Sequence, residues 1–351
     1  MKIEVLNTSK QPQYEAFARA YPGALLYHSL KFRDFLEELL GCASHYLLAL
    51  EDNEILGVLP LMKTPGPLGE VWNSLPFYGS NGGLLAQSAE AAQSLIAAYN
   101  EVVSAPQVAS STLISSPLCP DPHKGLRHNC TDTRTGQITV LSPEDHSEDF
   151  LLARIASSAR RNVRKAQAAD IEVIVDNTAT GFLASAHFSH MQEIGGLAKP
   201  RKFFDIFPKH FEAEKDYNIY VARLQGKPIA ALLLFYSGTT VEYYTPVSLT
   251  EHRNLQPLSA ILAKAMTAAA ASGYQYWNWG GTWESQEPLY RFKTKWAASD
   301  YPYTYYVQVN NAKLRKQSPG TLQKAYPGFY VLPYSELYQG AAPHEPKKVF
   351  S

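Results

Sequence analysis

Two stretches of alternating apolar and polar residues, about half a chain apart, follow one pattern. Residues 46–61 read YLLALEDNEILGVLPL, and residues 220–235 read YVARLQGKPIAALLLF. Each has an apolar strand, a polar turn and a second apolar strand, which is typical of a β-hairpin. Aligned at a separation of 174 residues, the matching positions are Tyr46 and Tyr220, Leu50 and Leu224, and Ile55 and Ile229. The two stretches therefore predict one hairpin in each half of the chain.

The elements that follow the two hairpins also come in the same order. Each hairpin is followed by a loop rich in turn residues and then by an apolar stripe at helical spacing, which predicts helices over about 88–103 and 257–272. A strand follows each helix, TLISS in the first half and YQYWNWG in the second. Four elements repeated in order predict an α/β fold, of the α+β type, built by tandem duplication of a whole domain.

The remaining patterns place the domain boundaries. Amphipathic helices are expected near 12–21 and 29–40, and a helix over 147–168 with the strand IEVIVD opens the second copy. The segment 120–148 between the copies is polar and rich in turn residues, apart from the strand ITVLS. We therefore predict a first lobe over 1–135, a second lobe over 136–340 and a flexible tail over 341–351.

Composition narrows the class of protein. The 351 residues include 32 basic and 32 acidic ones, so the formal net charge is zero and no DNA partner is expected. No apolar run approaches the roughly 18 residues of a membrane span, and the N-terminus lacks the pattern of a signal peptide. Three cysteines do not indicate a disulfide framework. We expect a cytoplasmic protein, with contact to a membrane surface left open.

Metal binding is not expected. Cys119, His123, His128 and Cys130 are of metal-ligand types, but their spacing contains no standard pair such as CxxC. His187 and His190 are expected to be partly buried side chains.

A basic helix is the first candidate for chemistry. Residues 157–166 read SSARRNVRKA, and on a helix the apolar residues share one face while Arg160, Arg161, Arg164 and Lys165 cover another. Guanidinium groups match the oxygens of a phosphate, so the cluster favours a phosphate or diphosphate partner. The alternative is a solvated basic face, which is the usual meaning of such a run.

A second candidate, residues 281–297, follows the last predicted strand of the second copy, where open α/β sheets build their sites. It reads GTWESQEPLYRFKTKWA and contains the catalytic candidates Tyr290, Arg291, Phe292 and Lys293. A lysine held between aromatic residues can stabilise the oxyanion that forms when an amine attacks an ester carbonyl. The alternative is an amphipathic helix that buries its aromatics and exposes its cations.

The loop before the second long helix is a weaker candidate. Arg253 and Asn254 lie just before the helix N-terminus, where free main-chain N–H groups favour an anion such as the phosphate of a cofactor.

These motifs, taken in order, resemble FemAB-type proteins. SSARRNVRKA with an EVIV strand, GVLPL, LPFYGSNGG, AKPRKFF (198–204), IAALLLFYSGTTVEYYTPVS, YWNWGGT and LYRFKTKWA carry the resemblance, which covers about residues 25–310. It implies two GNAT-like acyltransferase domains in tandem, each with a mixed, mostly antiparallel sheet flanked by helices. The best-known members transfer amino acids from aminoacyl-tRNA to peptidoglycan precursors.

The resemblance also implies roles for residues. Phe292 and Lys293 match a Phe-Lys pair that meets the reacting groups in the peptidoglycan members. An arginine of the basic helix region contacts acceptor phosphate in relatives, and Arg160, Arg161 and Arg164 are the candidates. Three features of the family are missing: an acidic residue directly after Gly82 and Gly83, room for the helical arm linked with tRNA handling, and a GNAT pyrophosphate loop.

The leading hypothesis is an N-acyltransferase that moves an aminoacyl or acyl group onto a primary amine. The acceptor would be a phosphate-bearing peptidoglycan or envelope polysaccharide precursor, and the donor aminoacyl-tRNA or acyl-CoA. Lys293 would stabilise the oxyanion, and Tyr290 and Arg291 would shape the site. Two alternatives stay open: an acetyl-CoA-dependent N-acetyltransferase of amino sugars, and a non-catalytic protein that binds a glycan or lipid-linked precursor.

Overall fold

The computed structural model describes residues 1–77, 82–120, 124–141, 144–282 and 286–337. Two compact units are formed, one by Met1–Arg134 with the described part of Pro302–Pro343, the other by Thr135–Tyr301. Residues 302–337 thus lie in the first unit, although we placed them in the second lobe. The predicted tail, 341–351, lies outside the described residues.

The first half of the chain alternates strands and helices. Its elements are β1 (Lys2–Val5), α1 (Gln11–Ala20), α2 (Leu30–Leu40), β2 (Ala43–Ser44), β3 (Leu47–Glu51), β4 (Glu54–Leu59), β5 (Met62–Thr64), β6 (Glu70–Asn73), β7 (Leu85–Ala86), α3 (Ala89–Val103) and β8 (Val108–Ile114). Ser29 and Ser88 cap α2 and α3 by accepting a main-chain N–H in the first turn, and Gly41 ends α2 in the left-handed conformation.

The second half begins with a strand that the sequence pattern showed only in part. Its elements are β9 (Cys130–Val140), α4 (Glu148–Arg154), α5 (Ser157–Ala168), β10 (Glu172–Val175), α6 (Thr180–Ile194), α7 (Arg201–His210), β11 (Tyr217–Leu224), β12 (Lys227–Ser237), β13 (Thr240–Ser248), α8 (Pro257–Ala271), β14 (Tyr276–Thr282), α9 (Glu287–Thr294), β15 (Ser299–Val309) and α10 (Pro319–Ala325).

The first unit contains two groups of paired strands. Strands β1, β3, β4 and β7 pair antiparallel in that order. Strands β2, β5, β6, β8 and β15 form the second group, in which β6 and β8 run parallel. The β8–β15 pairing explains why residues 302–309 belong to this unit. Helix α3 buries Leu95, Ile96 and Tyr99 in the unit's core.

The second unit has the strand order β10, β11, β12, β13, β14, β9. Every neighbouring pair is antiparallel except β13 and β14, which run parallel. Residues of α5 and α8 share a hydrophobic core with Trp277 and Trp279 of β14. Phe203 and Phe207 of α7 pack with Phe235 and Tyr244 of the sheet. The predicted fold class is confirmed: each unit joins a mixed sheet to flanking helices.

The duplication is visible in the hairpins, but its register differs from the sequence alignment. Asp52 and Asn53 take left-handed φ angles of 46° and 70° in the first hairpin turn, and Gln225 and Gly226 take 49° and 77° in the second. Turns of this kind fix the pairing of the strands beside them. The turns therefore correspond at a separation of 173 residues, one fewer than the alignment of apolar positions gave.

Two sequence predictions need correction. The helix expected over 147–168 is divided into α4 and α5, because Ile155 and Ala156 have extended main-chain angles. The segment over 120–148, expected to be turn-rich apart from ITVLS, contains the whole of β9, which begins eight residues before ITVLS and in which Thr131, Thr133 and Thr135 alternate along the strand. β-Branched residues fit a pleated strand, which outweighs the polar character of this segment.

Candidate functional site

Strands β13 and β14 pair over only three positions and then separate. The pairs are Thr240 with Tyr276, Val241 with Trp277, and Glu242 with Asn278. Strand β13 continues to Ser248 and β14 to Thr282, and no further pair joins them in the part of the chain that the structure describes. A strand edge that has lost its neighbour presents main-chain N–H and C=O groups to the gap. We call this opening, bounded by 243–248 and 279–282, the fork.

Both strands of the fork are irregular. Tyr244 is the extra residue of a bulge in β13, and β14 is bulged between Asn278 and Gly281 where it pairs with β9. Bulges redirect main-chain groups and are common beside functional sites. At the base of the fork, the buried Asn278 amide donates a hydrogen bond of 2.9 Å to the buried carboxylate of Glu242. No sequence pattern predicts this pair, because its members are far apart in the chain and each lies within an apolar strand.

Lys293 points from α9 onto the end of β14. Its side chain is only 2% exposed. Its Nζ donates to the carbonyl oxygens of Gly280 and Gly281, both at 3.2 Å, and to Thr282 Oγ1 at 2.7 Å. Burial lowers the pKa of the Lys293 ammonium to about 7. The lysine that the sequence singled out is therefore a buried amino group, held by oxygen atoms of the chain itself.

A chain of buried polar groups continues from Thr282. The Thr282 hydroxyl donates to Gln137 Oε1 at 3.2 Å, and Gln137 Nε2 donates to Thr294 Oγ1 at 3.3 Å. Gln137 is fully buried on β9. Strand β9 and the ends of β14 and α9 are thus joined by hydrogen bonds between residues that no sequence pattern connects.

Phe292 lies half-buried beside these hydrogen-bonded polar groups. Its ring meets that of Trp279 edge-on at 6.0 Å, and Trp279 Nε1 donates to the hydroxyl of Thr139. The predicted Phe-Lys pair therefore faces β14 as a unit, the ring on the indole and the ammonium on the strand end.

Tyr290 and Arg291 are not brought to the Lys293 ammonium. The Tyr290 hydroxyl donates to Asp300 Oδ2 at 2.9 Å. The Arg291 side chain is 70% exposed and forms an ion pair with Glu287, one turn earlier on the same helix. Residues 283–285 of the predicted segment lie outside the described residues.

The basic helix α5 begins beside the end of α9, because the Ala156 N–H donates to the Lys295 carbonyl at 2.9 Å. Its four cations divide into two kinds. Arg160 Nη1 donates to the carbonyls of Leu152 and Ala153 at 3.1 and 3.3 Å, so it caps the C-terminal end of α4. The remaining cations, Arg161, Arg164 and Lys165, are exposed and form no ion pair with any described residue. These three keep their charges available to an anionic ligand.

Arg253 and Asn254 lie in a short 3-10 turn, Thr250–Leu255, before α8. Asn254 is exposed. Arg253 Nη2 lies 3.1 Å from Glu193 Oε2 and 2.8 Å from His190 Nδ1, so part of its charge is already balanced within the unit. Burial, and next the Arg253 charge, lower the pKa of His190.

Lys199, in the AKPRKFF segment, is a further cation of the second unit. Its Nζ lies 5.2 Å from the ring centre of Tyr244 and 6.0 Å from that of Phe203. Burial lowers the pKa of Lys199 to about 8. Its main-chain N–H donates to Nε2 of His187, whose pKa is lowered to about 4, mainly by burial. The segment contributes to the resemblance, but the sequence predicts no role for Lys199.

The described residues among Cys119, His123, His128 and Cys130 do not form a metal site. His123 lies outside the described residues, Cys119 Sγ donates to the Gly23 carbonyl, and His128 Nδ1 lies 2.9 Å from the Leu126 carbonyl. Within the described ranges, no three His, Cys, Asp or Glu side chains are grouped as a metal site would need. No described helix combines the length and the apolar content needed to cross a bilayer.

Comparison with known protein families finds a match within the second unit. Residues 153–294 match the family described as an acetyltransferase (GNAT) domain. No curated protein matches the chain at significant sequence similarity.

The chain is similar to several solved structures. FemX is 15% identical with a TM-score of 0.69, over 90% of this chain and 98% of that chain. The C-terminal DUF2156 domain of a protein assigned as a lysylphosphatidylglycerol synthetase in Agrobacterium fabrum is 11% identical with a TM-score of 0.58, over 93% and 100%. A tandem GNAT protein from the clavulanic acid biosynthesis pathway is 12% identical with a TM-score of 0.50, over 87% and 97%.

These findings confirm the resemblance to FemAB-type proteins at the level of fold. The family match confirms the enzyme class, an acyltransferase of the GNAT type, and it covers both the fork and α9. It also covers α5 from its first residue, so the cations of α5 and the buried lysine lie in one acyltransferase domain.

Proposed function

We propose that this protein is an N-acyltransferase that moves an acyl or aminoacyl group onto the primary amine of a phosphate-bearing cell-wall or envelope precursor. The observation that carries the proposal is the fork in the GNAT-type domain, with the exposed cations of α5 in the same unit. The fork offers strand edges to an acyl donor, and α5 offers charge to a phosphate.

The fork suits an extended acyl donor for a physical reason. Main-chain N–H groups alternate in direction along a strand, so about half of those in 243–248 point to the side that β14 has left. An extended ligand can add to such an edge as a further strand would. An N–H aimed at the donor carbonyl would also stabilise the oxyanion of the tetrahedral intermediate.

The reaction balances without a cofactor. The amine nitrogen of the acceptor bonds to the donor carbonyl carbon, and the carbon–oxygen bond of an ester or the carbon–sulfur bond of a thioester breaks. The ammonium proton passes to the departing oxygen or sulfur or to solvent. Glu242 is the carboxylate nearest the base of the fork in sequence and register, but its hydrogen bond from Asn278 ties it to the sheet.

The charge of α5 and one of the relatives support the proposed class of acceptor. Arg161, Arg164 and Lys165 place three cations within five residues, and guanidinium groups pair well with phosphate oxygens. The name lysylphosphatidylglycerol denotes a lysyl group joined to a phosphate-bearing lipid, and the similarity to a protein assigned as its synthetase supports an acceptor that carries phosphate, whether a nucleotide-linked or a lipid-linked precursor.

A transfer assay with two donors tests the proposal. The protein is incubated with a nucleotide-linked peptidoglycan precursor and either labelled acetyl-CoA or a mixture of labelled aminoacyl-tRNAs, and the products are separated by mass. We expect label on the acceptor amine from one donor and none when that amine has been blocked beforehand. Absence of transfer from both donors, with precursor binding retained in calorimetry, would instead identify a binding protein.

The N-acetyltransferase alternative rests on one observation, the match to a family described by acetyl transfer. Calorimetric titration with acetyl-CoA separates the two functions. Micromolar binding, followed by acetylation of an amino sugar, would assign the alternative and reject the aminoacyl donor.

The phosphate contact has a test of its own. We expect the Arg161→Ala and Arg164→Ala variants to bind the precursor more weakly, with a smaller dependence of affinity on salt concentration. Lys227→Ala is a matched control, because Lys227 is an exposed cation of the same unit, directly after the hairpin turn at the start of β12. Equal weakening in all three variants would show that the effect is one of total charge and would reject α5 as the site.

A further inference from the structure

The hydrogen bonds of Lys293 leave its ammonium no N–H for a substrate. An ammonium has three N–H donors, and the three acceptors are Gly280 O, Gly281 O and Thr282 Oγ1. A substrate oxyanion would have to displace one of them, and the 2% exposure of Lys293 gives it no open approach. Direct contact with the reacting carbonyl, which the resemblance implies, therefore requires breaking an existing bond.

The acceptors are not an arbitrary stretch of β14. In pairing with β9, Asn278 faces Ile138 and Gly281 faces Gly136, so β14 carries one extra residue between them. Gly280 takes a left-handed φ of 73° there. A bulge takes carbonyl groups out of the regular ladder, and those groups need other donors. Lys293 supplies the donors for the carbonyls of Gly280 and Gly281.

The bulge lies where β14 leaves β13. The last β13–β14 pair is Glu242 with Asn278, and the bulge begins at the next residue. From the main chain, Gly280 N–H donates to Asn278 Oδ1 at 2.9 Å. The bulged end of β14 is thus held by Asn278 at one side and by Lys293 at the other, and its course sets the width of the fork.

We propose that Lys293 is a positioning residue, whose ammonium fixes the bulged end of β14 and so holds the fork in the shape that receives the acyl donor. This inference rests on the proposed function for the identity of the ligand, and on the hydrogen bonds alone for the positioning. It assigns oxyanion stabilisation to main-chain N–H groups of the fork and not to the lysine.

The proposal explains why the position needs a lysine. Two carbonyls and a hydroxyl that lie around one point are matched by the three donors at the tip of a lysine side chain. The donors of an arginine guanidinium lie in one plane and do not match this arrangement. A methionine has similar length and no donor. It would leave both part-buried glycine carbonyls without their side-chain donor.

Hydrogen–deuterium exchange tests the positioning without any substrate. The wild type is compared with Lys293→Met, Thr282→Val and the control Lys295→Ala, whose side chain is exposed on the same helix end. We expect amides within Tyr276–Thr282 to exchange at least tenfold faster in Lys293→Met, several-fold faster in Thr282→Val, and unchanged in the control. If Lys293→Met does not fold, Thr282→Val decides; this change removes one acceptor of the Lys293 ammonium and, with it, the donor to Gln137 Oε1. Unchanged exchange in the folded variants would overturn the proposal.

Kinetics with the active donor separate positioning from direct catalysis. If Lys293 acts through β14, Thr282→Val and Lys293→Met share one defect, so the double variant is no slower than Lys293→Met and the KM for the donor rises in each. If Lys293 contacts the oxyanion, kcat falls in Lys293→Met with KM little changed, and Thr282→Val multiplies the loss; that result would reject the proposal. Failure of the wild type to transfer any acyl group would reject the proposed function, while the exchange result would still stand for or against the positioning.

Discussion

The buried ammonium of Lys293 makes the free energy of unfolding depend on pH above neutrality. Burial lowers its pKa from 10.5 to about 7 in the folded chain. Between these values the unfolded chain keeps a proton that the folded chain releases. Linkage then requires the free energy of unfolding to rise with pH across this window, because the unfolded state binds more protons.

The size of the effect follows from the shift. From 10.5 to about 7 is about 3.5 units, and each unit corresponds to about 1.4 kcal/mol, so the upper limit across the whole window is about 5 kcal/mol. The three hydrogen bonds to the ammonium favour the charged form and oppose the desolvation, so the measured rise should lie below this limit. Between pH 7 and 9.5 we expect about 2–3 kcal/mol.

Urea unfolding of the wild type and of Lys293→Met at several pH values measures the effect. Trp277, Trp279 and Trp296 lie buried in the second unit, so tryptophan fluorescence reports mainly on its unfolding. Lys199, whose pKa is lowered to about 8, contributes with the same sign but is present in both proteins and cancels in the difference. The stability of the wild type relative to the variant should therefore rise with pH.

Parallel curves for the two proteins would refute this reasoning. They would mean that Lys293 carries the same charge in the folded and unfolded chains at every pH tested. Burial without a carboxylate partner would then not change the pKa of Lys293. If the stability of the wild type relative to the variant fell with pH, the fold would favour the charged form of Lys293, which also contradicts the prediction.

Three further predictions concern stability and use urea unfolding as the measurement. Gly83→Ala should destabilise by about 1–3 kcal/mol, because its Cβ would lie 2.9 Å from two main-chain atoms, while Gly181→Ala, in open space on a helix, should stabilise by about 0.5–1 kcal/mol; equal effects would reject the steric argument. His28→Ala should cost about 2 kcal/mol or more, because the imidazole joins two buried main-chain groups, and a loss under 0.5 kcal/mol would contradict this. Arg160→Ala should lower the free energy of unfolding by about 1 kcal/mol and leave precursor binding unchanged. Arg161→Ala should weaken precursor binding and leave the free energy of unfolding unchanged. The opposite pattern would show that Arg161 is the structural residue and Arg160 the binding residue.

Local periodicity was enough for much of the fold. The alternation in 46–61 and 220–235 predicted both hairpins, and the helical stripes predicted α3 and α8 to within a residue. The order of elements predicted the duplication and the class of fold. These features depend on neighbours within a few residues, so the sequence contains them directly.

The candidate residues predicted from the sequence were assigned to the second lobe, and in the structure they lie in the second unit. The sequence pointed to Phe292, Lys293 and the cations of α5. All of them lie in the second unit, where the start of α5 lies beside the end of α9. The sequence pointed to them partly by resemblance, because a lysine among aromatics is by itself a common helical pattern. The roles of these residues stay predictions.

Tertiary structure alone decided what those residues touch. Sequence could not tell that Arg160 caps α4 or that Arg291 pairs with Glu287 on the helix surface. Nor could the sequence show that all three N–H groups of the Lys293 ammonium donate to residues of β14. The partner of Gln137 lies at Thr294, far along the chain, and only the packing of β9 against α9 brings them together.

The hairpin register and the limits of the units show the same division. Apolar alternation aligned the two copies at 174 residues, while the turns correspond at 173, and so do the bulges beside them, whose extra residues are Leu56 and Ile229. Residues 302–309 read as a continuation of the second copy, yet β15 pairs with β8 of the first unit. Sequence determined most of the elements that form, because most of them depend on local pattern. Hydrogen bonds between distant strands decided where they belong, and no local pattern records those bonds.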